Sequence, residues 1–191
     1  MEGFTVGPKE KKMGIRGSST CELILQKVRV PKEQRLGQVG EGFKIAMATL
    51  DGGRIGIAAQ ALGIAEGAFE RTIEYIKKRV QFGKPIAAFQ NTQFVVAELK
   101  TKIEAARLLI YKAVSDKDEG RSYTESAAMA KLFASRTAVE VTDQCIQLLG
   151  GYGYIRDYEI ERYFRDAKIT EIYEGTSEVQ KMVIAGKVLK S

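Results

Sequence analysis

The stretch IYEGTSE, residues 172–178, places a carboxylate, Glu174, directly before Gly-Thr-Ser and the start of an amphipathic pattern. Thr176 or Ser177 can cap the helix that follows, and Glu178 stands where an acidic side chain suits the start of a helix. Glu174 lies before that cap, and two interpretations are open. It is either an exposed acid of a loop, or a general base at the floor of a pocket whose loop N–H groups bind a developing oxyanion.

Three further stretches could contact a ligand. KRVQFGKPI, residues 78–86, ends a helical pattern with basic residues, Phe-Gly and Pro, which is a typical stop signal. QLLGGYGYIRD, residues 147–157, reads as a glycine-rich loop whose N–H groups could approach phosphates, although it follows a helix rather than the strand of a dinucleotide fingerprint. Repeated glycines in the helical pattern of residues 43–79 indicate either close helix packing or a ligand near DGGR, residues 51–54.

The composition is that of a globular chain and excludes several kinds of site. The chain has 191 residues, of which 45% are hydrophobic and 28% charged, and its net charge is +6. It has no histidine and two cysteines, Cys21 and Cys145, which excludes a His-based metal site, a Ser-His triad and a disulfide framework. We expect each cysteine to be a buried thiol. The basic clusters at residues 9–12 and 77–79 indicate either solvated faces or contacts with cofactor phosphates.

Two features bear on where the protein is located. The N-terminus MEGFTVGPKE has neither the basic nor the apolar segment of a signal peptide. The longest mostly apolar run, residues 55–65, is too short to span a bilayer and contains Gln60. The sequence therefore predicts a cytoplasmic protein, or one of the mitochondrial matrix if the source is eukaryotic.

The elements that must position these residues divide the chain in two. Residues 1–36 contain short β-branched runs, which predict a strand over residues 21–30 and one or two shorter strands before it. So few strands bury too little surface to be stable without a partner layer. From residue 41 onward the period is helical and predicts four long helices with a short helix near residues 158–166. The apolar stripe of the last helix is predicted at Val179, Met182, Gly186 and Leu189.

The connections between the predicted helices are short. The breaks fall at residues 81–85, 117–122 and 150–154. Short connections favour antiparallel neighbours, so we expect a mainly α fold with an up-down four-helix bundle.

Five stretches, taken together and in order, resemble the C-terminal half of an acyl-CoA dehydrogenase, most nearly of the short-chain, butyryl-CoA type. They are GIRGSST, GEGFKIAMATLDGGRIGIAAQALGIA, RVQFGKPI, QLLGGYGYIRD and RYFRDAKITEIYEGTSEVQ. The resemblance implies that residues 1–36 are a remnant of the family's middle β-barrel domain and that residues 37–191 form its C-terminal helical bundle. Family members also carry an N-terminal helical domain and more of the β-domain, so we expect this chain to be a fragment or a truncated reading frame.

The resemblance also implies an activity. Members of the family use FAD to oxidise an acyl-CoA thioester to the trans-2-enoyl-CoA: a glutamate removes the α-proton while a hydride leaves the β-carbon for the flavin. The family's base matches Glu174, whose N–H would hold the thioester oxygen together with a ribityl hydroxyl, and Gly175 would leave room for the substrate. Some relatives place the base at the position of Gly53 instead. A glutamate at 174 favours the straight-chain arrangement.

Further contacts are implied by position. The stretch that contacts the CoA portion corresponds to Asp51, Gly52, Gly53 and Arg54. The residues that hold the adenosine-diphosphate part of a neighbouring subunit's FAD correspond to Arg79, Gln90, Gln147, Leu148, Leu149, Gly150 and Gly151. The loop that touches the pyrophosphate of the chain's own flavin corresponds to Thr176, Ser177 and Glu178. Because Glu178 is negative, we expect it to act through its backbone or through adenosine.

The implied partners are an acyl-CoA substrate, further copies of the chain in a dimer or tetramer, and an electron-transfer flavoprotein as acceptor, with neither a nucleic acid nor a membrane. The resemblance leaves two functions open. The chain is either a short-chain acyl-CoA dehydrogenase or a non-catalytic bundle that associates through its helices, since the absent domains form the other wall of the family's active site. Bound flavin distinguishes the two. Nucleic-acid binding, the third alternative, would show a steep dependence on salt.

Overall fold

Helices carry most of the chain in the computed structural model, which describes residues 1–190. Three long helices are followed by three shorter ones, and single 3-10 turns join several of them. In chain order they are α1 (Gly42–Lys78), α2 (Gln90–Asp118), α3 (Thr124–Leu149), α4 (Gly151–Tyr154), α5 (Ile160–Lys168) and α6 (Ser177–Val188). The mainly helical prediction is confirmed, although the last of the four predicted long helices, α6, has only 12 residues.

Two short antiparallel pairs are the β-structure of residues 1–190. β1 (Phe4–Val6) pairs with β2 (Leu23–Leu25). β3 (Val80–Gln81) pairs with β4 (Lys84–Pro85) in the turn between α1 and α2. The strand predicted over residues 21–30 is shorter than expected because the chain turns out of the ladder after β2, where Lys27 has a φ of +53°.

The core forms around α3, which contacts α1, α2, α5 and α6. Alanines dominate the core, and because their side chains are small they allow the backbones of neighbouring helices to approach closely. On α1 and α3 the alanines that are at most 1% exposed are Ala58, Ala61, Ala65, Ala68, Ala127, Ala128, Ala130, Ala134 and Ala138. No helix within residues 1–190 combines the length and the apolarity needed to cross a membrane.

The predicted apolar stripe of α6 is wrong. Met182 is 72% exposed and Leu189 is 85% exposed, whereas the neighbouring Gln180 is fully buried. The helix turns this polar residue inward because the Gln180 side chain bonds to the loop that precedes α6. The two cysteines also differ from each other: Cys145 is buried, as expected, and Cys21 is only half-buried.

A loop at residues 13–16, in the GIRGSST motif, fastens the N-terminal segment to α5. The Ile15 N–H donates to Asp166 Oδ1 at 2.6 Å, and the Arg165 guanidinium donates to the Met13 carbonyl at 2.9 Å. A Cβ on Gly14 would lie 2.3 Å from the Arg165 carbonyl oxygen. Close backbone contact therefore explains this glycine.

We expect Gly14→Ala to lower the free energy of unfolding by about 1–3 kcal/mol, since the added methyl group has no space beside the Arg165 backbone. Urea unfolding measures the change. Gly17→Ala is the matched control, because nothing lies within 4 Å of a Cβ at that position. An equal loss of stability in both variants would contradict the close-contact explanation.

Candidate active site

The loop of residues 172–176, between α5 and α6, is fastened to the bundle by side chains of other helices. The Tyr173 hydroxyl bonds to Gln60 Oε1 on α1. Lys131 Nζ on α3 donates to the Gly175 carbonyl at 2.6 Å. The loop is therefore fixed on two sides, unlike a free surface turn.

Two consecutive residues of this loop have left-handed backbone conformations. φ is +54° at Glu174 and +91° at Gly175, and a non-glycine residue held there stores about 1–3 kcal/mol of strain, a feature that clusters at functional sites. Gln180 Nε2 donates to both carbonyls, at 3.2 Å for Glu174 and 2.9 Å for Gly175. A Cβ on Gly175 would lie 2.8 Å from the same nitrogen. The φ of Gly175 and the nearness of Gln180 thus give a structural reason for this glycine, and the room for a substrate that the resemblance implies stays a prediction.

The Glu174 carboxylate lies against α1 at Gly53. A Cβ built on Gly53 would be 2.5 Å from Glu174 Oε2 and 2.9 Å from its Cδ. Glu174 is half-buried rather than exposed, which argues against the interpretation of this residue as an exposed acid of a loop. The glycine at the alternative base position therefore makes space for the glutamate at 174.

Arg54 follows Gly53 and is buried, with 5% of its surface exposed. Its Nη1 pairs with Asp51 Oδ1 at 2.5 Å, and Asp51 Oδ2 accepts a hydrogen bond from Thr124 Oγ1 at 2.8 Å. Arg54 Nε has no partner. The predicted substrate-binding stretch is thus next to Glu174, and it carries a buried donor whose desolvation is uncompensated without an acceptor.

The unpartnered polar atoms of residues 1–190 are concentrated around this loop. Three buried side-chain atoms have no hydrogen-bond partner, and they are Arg54 Nε, Ser177 Oγ and Gln180 Oε1. Ser177 is in the first turn of α6, where Thr176 Oγ1 caps the helix by accepting the Val179 N–H at 3.4 Å. Buried polar groups are rarely left unpaired, and a helix start with free N–H groups suits a phosphate. Two of these atoms, Arg54 Nε and Ser177 Oγ, can donate to the oxygens of the implied FAD and CoA groups, whereas Gln180 Oε1 can only accept.

A second group of predicted cofactor residues lines a cleft of about 530 Å³ where α1 and α3 end. Its lining includes Arg79, Gln147, Leu148, Leu149, Gly150 and Gly151. The Arg79 guanidinium lies 5.4 Å from the centre of the Tyr152 ring. Gln90, at the start of α2, is exposed and does not line the cleft. Neither Glu174 nor the start of α6 lines it, so the structure separates the predicted cofactor residues into two groups.

The glycine-rich stretch after α3 is not a loop. Gly150 has a φ of +60° and ends α3, and residues 151–154 then form the single helical turn α4. Gly153 is buried against α3, where a Cβ would lie 2.5 Å from the Ile146 carbonyl oxygen. The glycines therefore serve a sharp reversal and a close contact, which the glycine count alone does not distinguish from a phosphate loop.

Sequence reasoning missed Lys131, which is fully buried. The available signal was its spacing, because Lys131 is four residues from both Ala127 and Ser135 on the buried face of α3. Burial lowers the pKa of the Lys131 ammonium to about 8, and the nearby Glu171 carboxylate opposes this shift.

The depressed pKa of Lys131 predicts a pH dependence of stability. Its ordinary value is 10.5, so between about pH 8 and 10.5 the unfolded chain binds more protons than the folded chain, and the free energy of unfolding rises with pH. We expect a rise of up to about 1 kcal/mol between pH 8 and 9, absent in Lys131→Met. Burial raises the Cys145 pKa to about 11, which acts oppositely above pH 9. Both the unaltered chain and Lys131→Met keep Cys145, so subtracting one stability profile from the other removes its contribution. Profiles of unfolding free energy against pH that run parallel in the two chains would contradict the prediction.

Comparison with known proteins shows which family the sequence resembles. Residues 40–189 match the family described as acyl-CoA dehydrogenase, C-terminal domain. The chain is 58% identical over 188 residues to the short-chain-specific acyl-CoA dehydrogenase of Megasphaera elsdenii, covering 98% of this chain and 49% of that protein. It is 54% identical over 188 residues to the acryloyl-CoA reductase (NADH) of Anaerotignum propionicum, covering 98% of this chain and 48% of that protein.

The fold agrees as well. The solved structure of butyryl-CoA dehydrogenase from Megasphaera elsdenii matches with a TM-score of 0.97 and 58% identity, covering 98% of this chain and 49% of that chain. The chain spans about half the length of the curated relatives that it matches. By sequence and by fold, the chain belongs to the acyl-CoA dehydrogenase family, with residues 40–189 matching its C-terminal domain.

Proposed function

We propose that the chain carries the catalytic base of an FAD-dependent acyl-CoA dehydrogenase that acts on short-chain acyl-CoA thioesters. The observation that carries the proposal is the placement of Glu174, in a strained left-handed turn with its carboxylate against Gly53. The unpartnered donors Arg54 Nε and Ser177 Oγ flank this carboxylate's loop. The similarity to short-chain-specific and butyryl-CoA dehydrogenases supports the choice of chain length.

The proposed reaction removes a proton from Cα and a hydride from Cβ of the saturated acyl chain, which leaves the trans-2-enoyl-CoA. Glu174 takes the Cα proton as a carboxylate and becomes the neutral acid. Its backbone N–H donates to the thioester oxygen, which stabilises the negative charge that develops there as the proton leaves. FAD, when bound, supplies the acceptor for the hydride.

The remaining residues bind and orient. Arg54 Nε and its neighbours Asp51, Gly52 and Gly53 would contact the acyl-CoA beside the base. Residues 176–178 would hold the pyrophosphate of the chain's own FAD at the start of α6.

The cleft of Arg79 and residues 147–151 would hold the adenosine-diphosphate part of the FAD of a second copy, where Arg79 can bind phosphate oxygens in a bidentate manner. Two separate groups on one chain fit a dimer or tetramer in which each FAD touches two copies. The contribution of Gln90 stays a prediction. The electron acceptor in this proposal is an electron-transfer flavoprotein.

The similarity to an acryloyl-CoA reductase favours a second candidate, the reduction of a short 2-enoyl-CoA. The same residues serve this reaction in reverse: the neutral Glu174 acid would donate its proton to Cα while the Glu174 N–H holds the thioester oxygen, and FAD, when bound in its reduced form, would supply the hydride to Cβ. The two candidates differ in direction and share one site.

The visible spectrum of the purified 191-residue chain, loaded with FAD under anaerobic conditions, tests the proposal. We expect the flavin absorbance to bleach when butyryl-CoA is added. Recovery of the absorbance when crotonyl-CoA is added to the reduced chain would show that the site works in both directions. A chain that binds no FAD and forms oligomers would overturn both candidates and favour the non-catalytic bundle.

A further inference from the structure

One buried cation faces the loop that carries Glu174. Lys131 is the largest fully buried side chain of residues 1–190, and its Nζ donates to the Gly175 carbonyl at 2.6 Å. It forms no ion pair within 4 Å among the described residues. An ammonium group of this kind is normally buried only with a carboxylate partner.

The charge of Lys131 is not explained by packing. Burial depresses its pKa, the positive Arg54 depresses it further, and the carboxylates of Glu171, Glu174 and Glu178 only partly offset these effects. A methionine side chain has similar length and would fill the same space without the cost of burying a charge. What the lysine supplies, and methionine cannot, is a donor to the loop carbonyl.

That carbonyl is at the point where the loop is strained. The Gly175 oxygen accepts from Lys131 at 2.6 Å and from Gln180 at 2.9 Å, so both of its lone pairs are used. Without Lys131, Gln180 would be the remaining hydrogen-bond donor to the carbonyls of Glu174 and Gly175, the two residues with left-handed backbone conformations. Because the backbone angles of Glu174 set the direction of its side chain, relaxation of the pair would move the carboxylate away from Gly53.

We propose that Lys131 is a positioning residue for the base: together with Gln180 it clamps the Gly175 carbonyl and so holds the Glu174 carboxylate against Gly53. The effect on turnover rests on the proposed function, whereas the clamp itself does not. The two are therefore tested by separate measurements.

Amide hydrogen exchange in the 191-residue chain tests the clamp. We expect Lys131→Met to increase exchange in residues 172–180 about tenfold to a hundredfold, as for the loss of a hydrogen bond to a charged group. Thr142→Val is the matched control, since Thr142 is equally buried on α3 but its hydroxyl bonds to Ala138 of the same helix at 2.7 Å. Unchanged exchange in Lys131→Met, or an equal increase in Thr142→Val, would overturn the clamp.

A second variant keeps the test decisive if Lys131→Met folds poorly. Gln180→Met removes the other donor to the same carbonyl, and we expect it to increase exchange in residues 172–180 as well. If both donors act on one carbonyl, the effects of the two substitutions in the double variant will not add. Additive effects, as for independent sites, would overturn the shared clamp.

Flavin bleaching by butyryl-CoA tests the consequence for the base. In the FAD-loaded chain we expect Lys131→Met to lower the bleaching rate about tenfold to a hundredfold while the Kd of butyryl-CoA changes far less, and Lys131→Arg to restore part of the rate. A purely structural role would lower stability and leave the rate of the folded protein unchanged, which would overturn the positioning role. Absence of bleaching in the unaltered chain would overturn the proposed function, and hydrogen exchange would still decide the clamp.

Discussion

Glu174→Gln is expected to lower the rate of flavin bleaching by butyryl-CoA about 10²- to 10⁴-fold in the FAD-loaded chain, the range that a general base contributes. Glutamine keeps the size of the side chain and cannot accept the Cα proton. The Kd of butyryl-CoA should change little, because the Glu174 N–H that holds the thioester oxygen belongs to the backbone. Stopped-flow absorbance measures the rate, and titration of the flavin spectrum measures the affinity.

A matched control for this substitution is available in the same chain. Glu159 also has a left-handed conformation, with a φ of +59°, and its carboxylate pairs with Arg71 at 2.8 Å on the surface. Glu159→Gln therefore repeats the change of charge in the same strained backbone, away from Glu174, and should leave the bleaching rate unchanged. Bleaching at the original rate in Glu174→Gln would refute the assignment of the base.

The sequence alone is enough to propose Glu174 as the base, because the residues that the proposed chemistry needs are local. The carboxylate, the glycine after it and the cap of α6 are consecutive residues, so the motif of residues 172–178 carries most of the geometry. The contact of Glu174 with Gly53 could also be anticipated, because the resemblance implies that some relatives carry the base at the position of Gly53. Motifs of this kind therefore indicate which residues are in contact at the site.

The supports of the loop were not predictable in the same way. Lys131 and Gln180 are polar residues on helices whose apolar spacing dominates the pattern, and their role depends on a carbonyl that is 44 residues from Lys131. The prediction of the apolar stripe of α6 was wrong for a related reason. Apolar spacing identifies a helix face that can pack against other elements. In α6, however, the hydrogen bonds of Gln180 to the Glu174 and Gly175 carbonyls turn a different face towards the bundle.

The contact between α1 and the base leads to the second large effect. Gly53→Ala is expected to lower the bleaching rate about 10²-fold, the scale of an ångström of misplacement, because the new Cβ would stand 2.5 Å from Glu174 Oε2. Stability should not fall. The displaced atoms are the end of a flexible side chain, and alanine in place of glycine inside a helix stabilises it by up to about 1 kcal/mol. The bleaching rate and the free energy of unfolding in urea, measured on one preparation, separate the effect on catalysis from the effect on stability.

Gly63→Ala provides the comparison that isolates the contact. Gly63 is on the same helix, it is exposed, and nothing lies within 4 Å of a Cβ built there. The helix should gain the same stability from this substitution, and the bleaching rate should stay at its original value. If both glycine variants lose the same activity, the loss reflects a stiffer α1 rather than a displaced carboxylate, and the placement of the base against Gly53 is not what catalysis requires. If Gly53→Ala alone loses activity while gaining stability, the missing side chain at residue 53 is the space that Glu174 needs to reach the substrate.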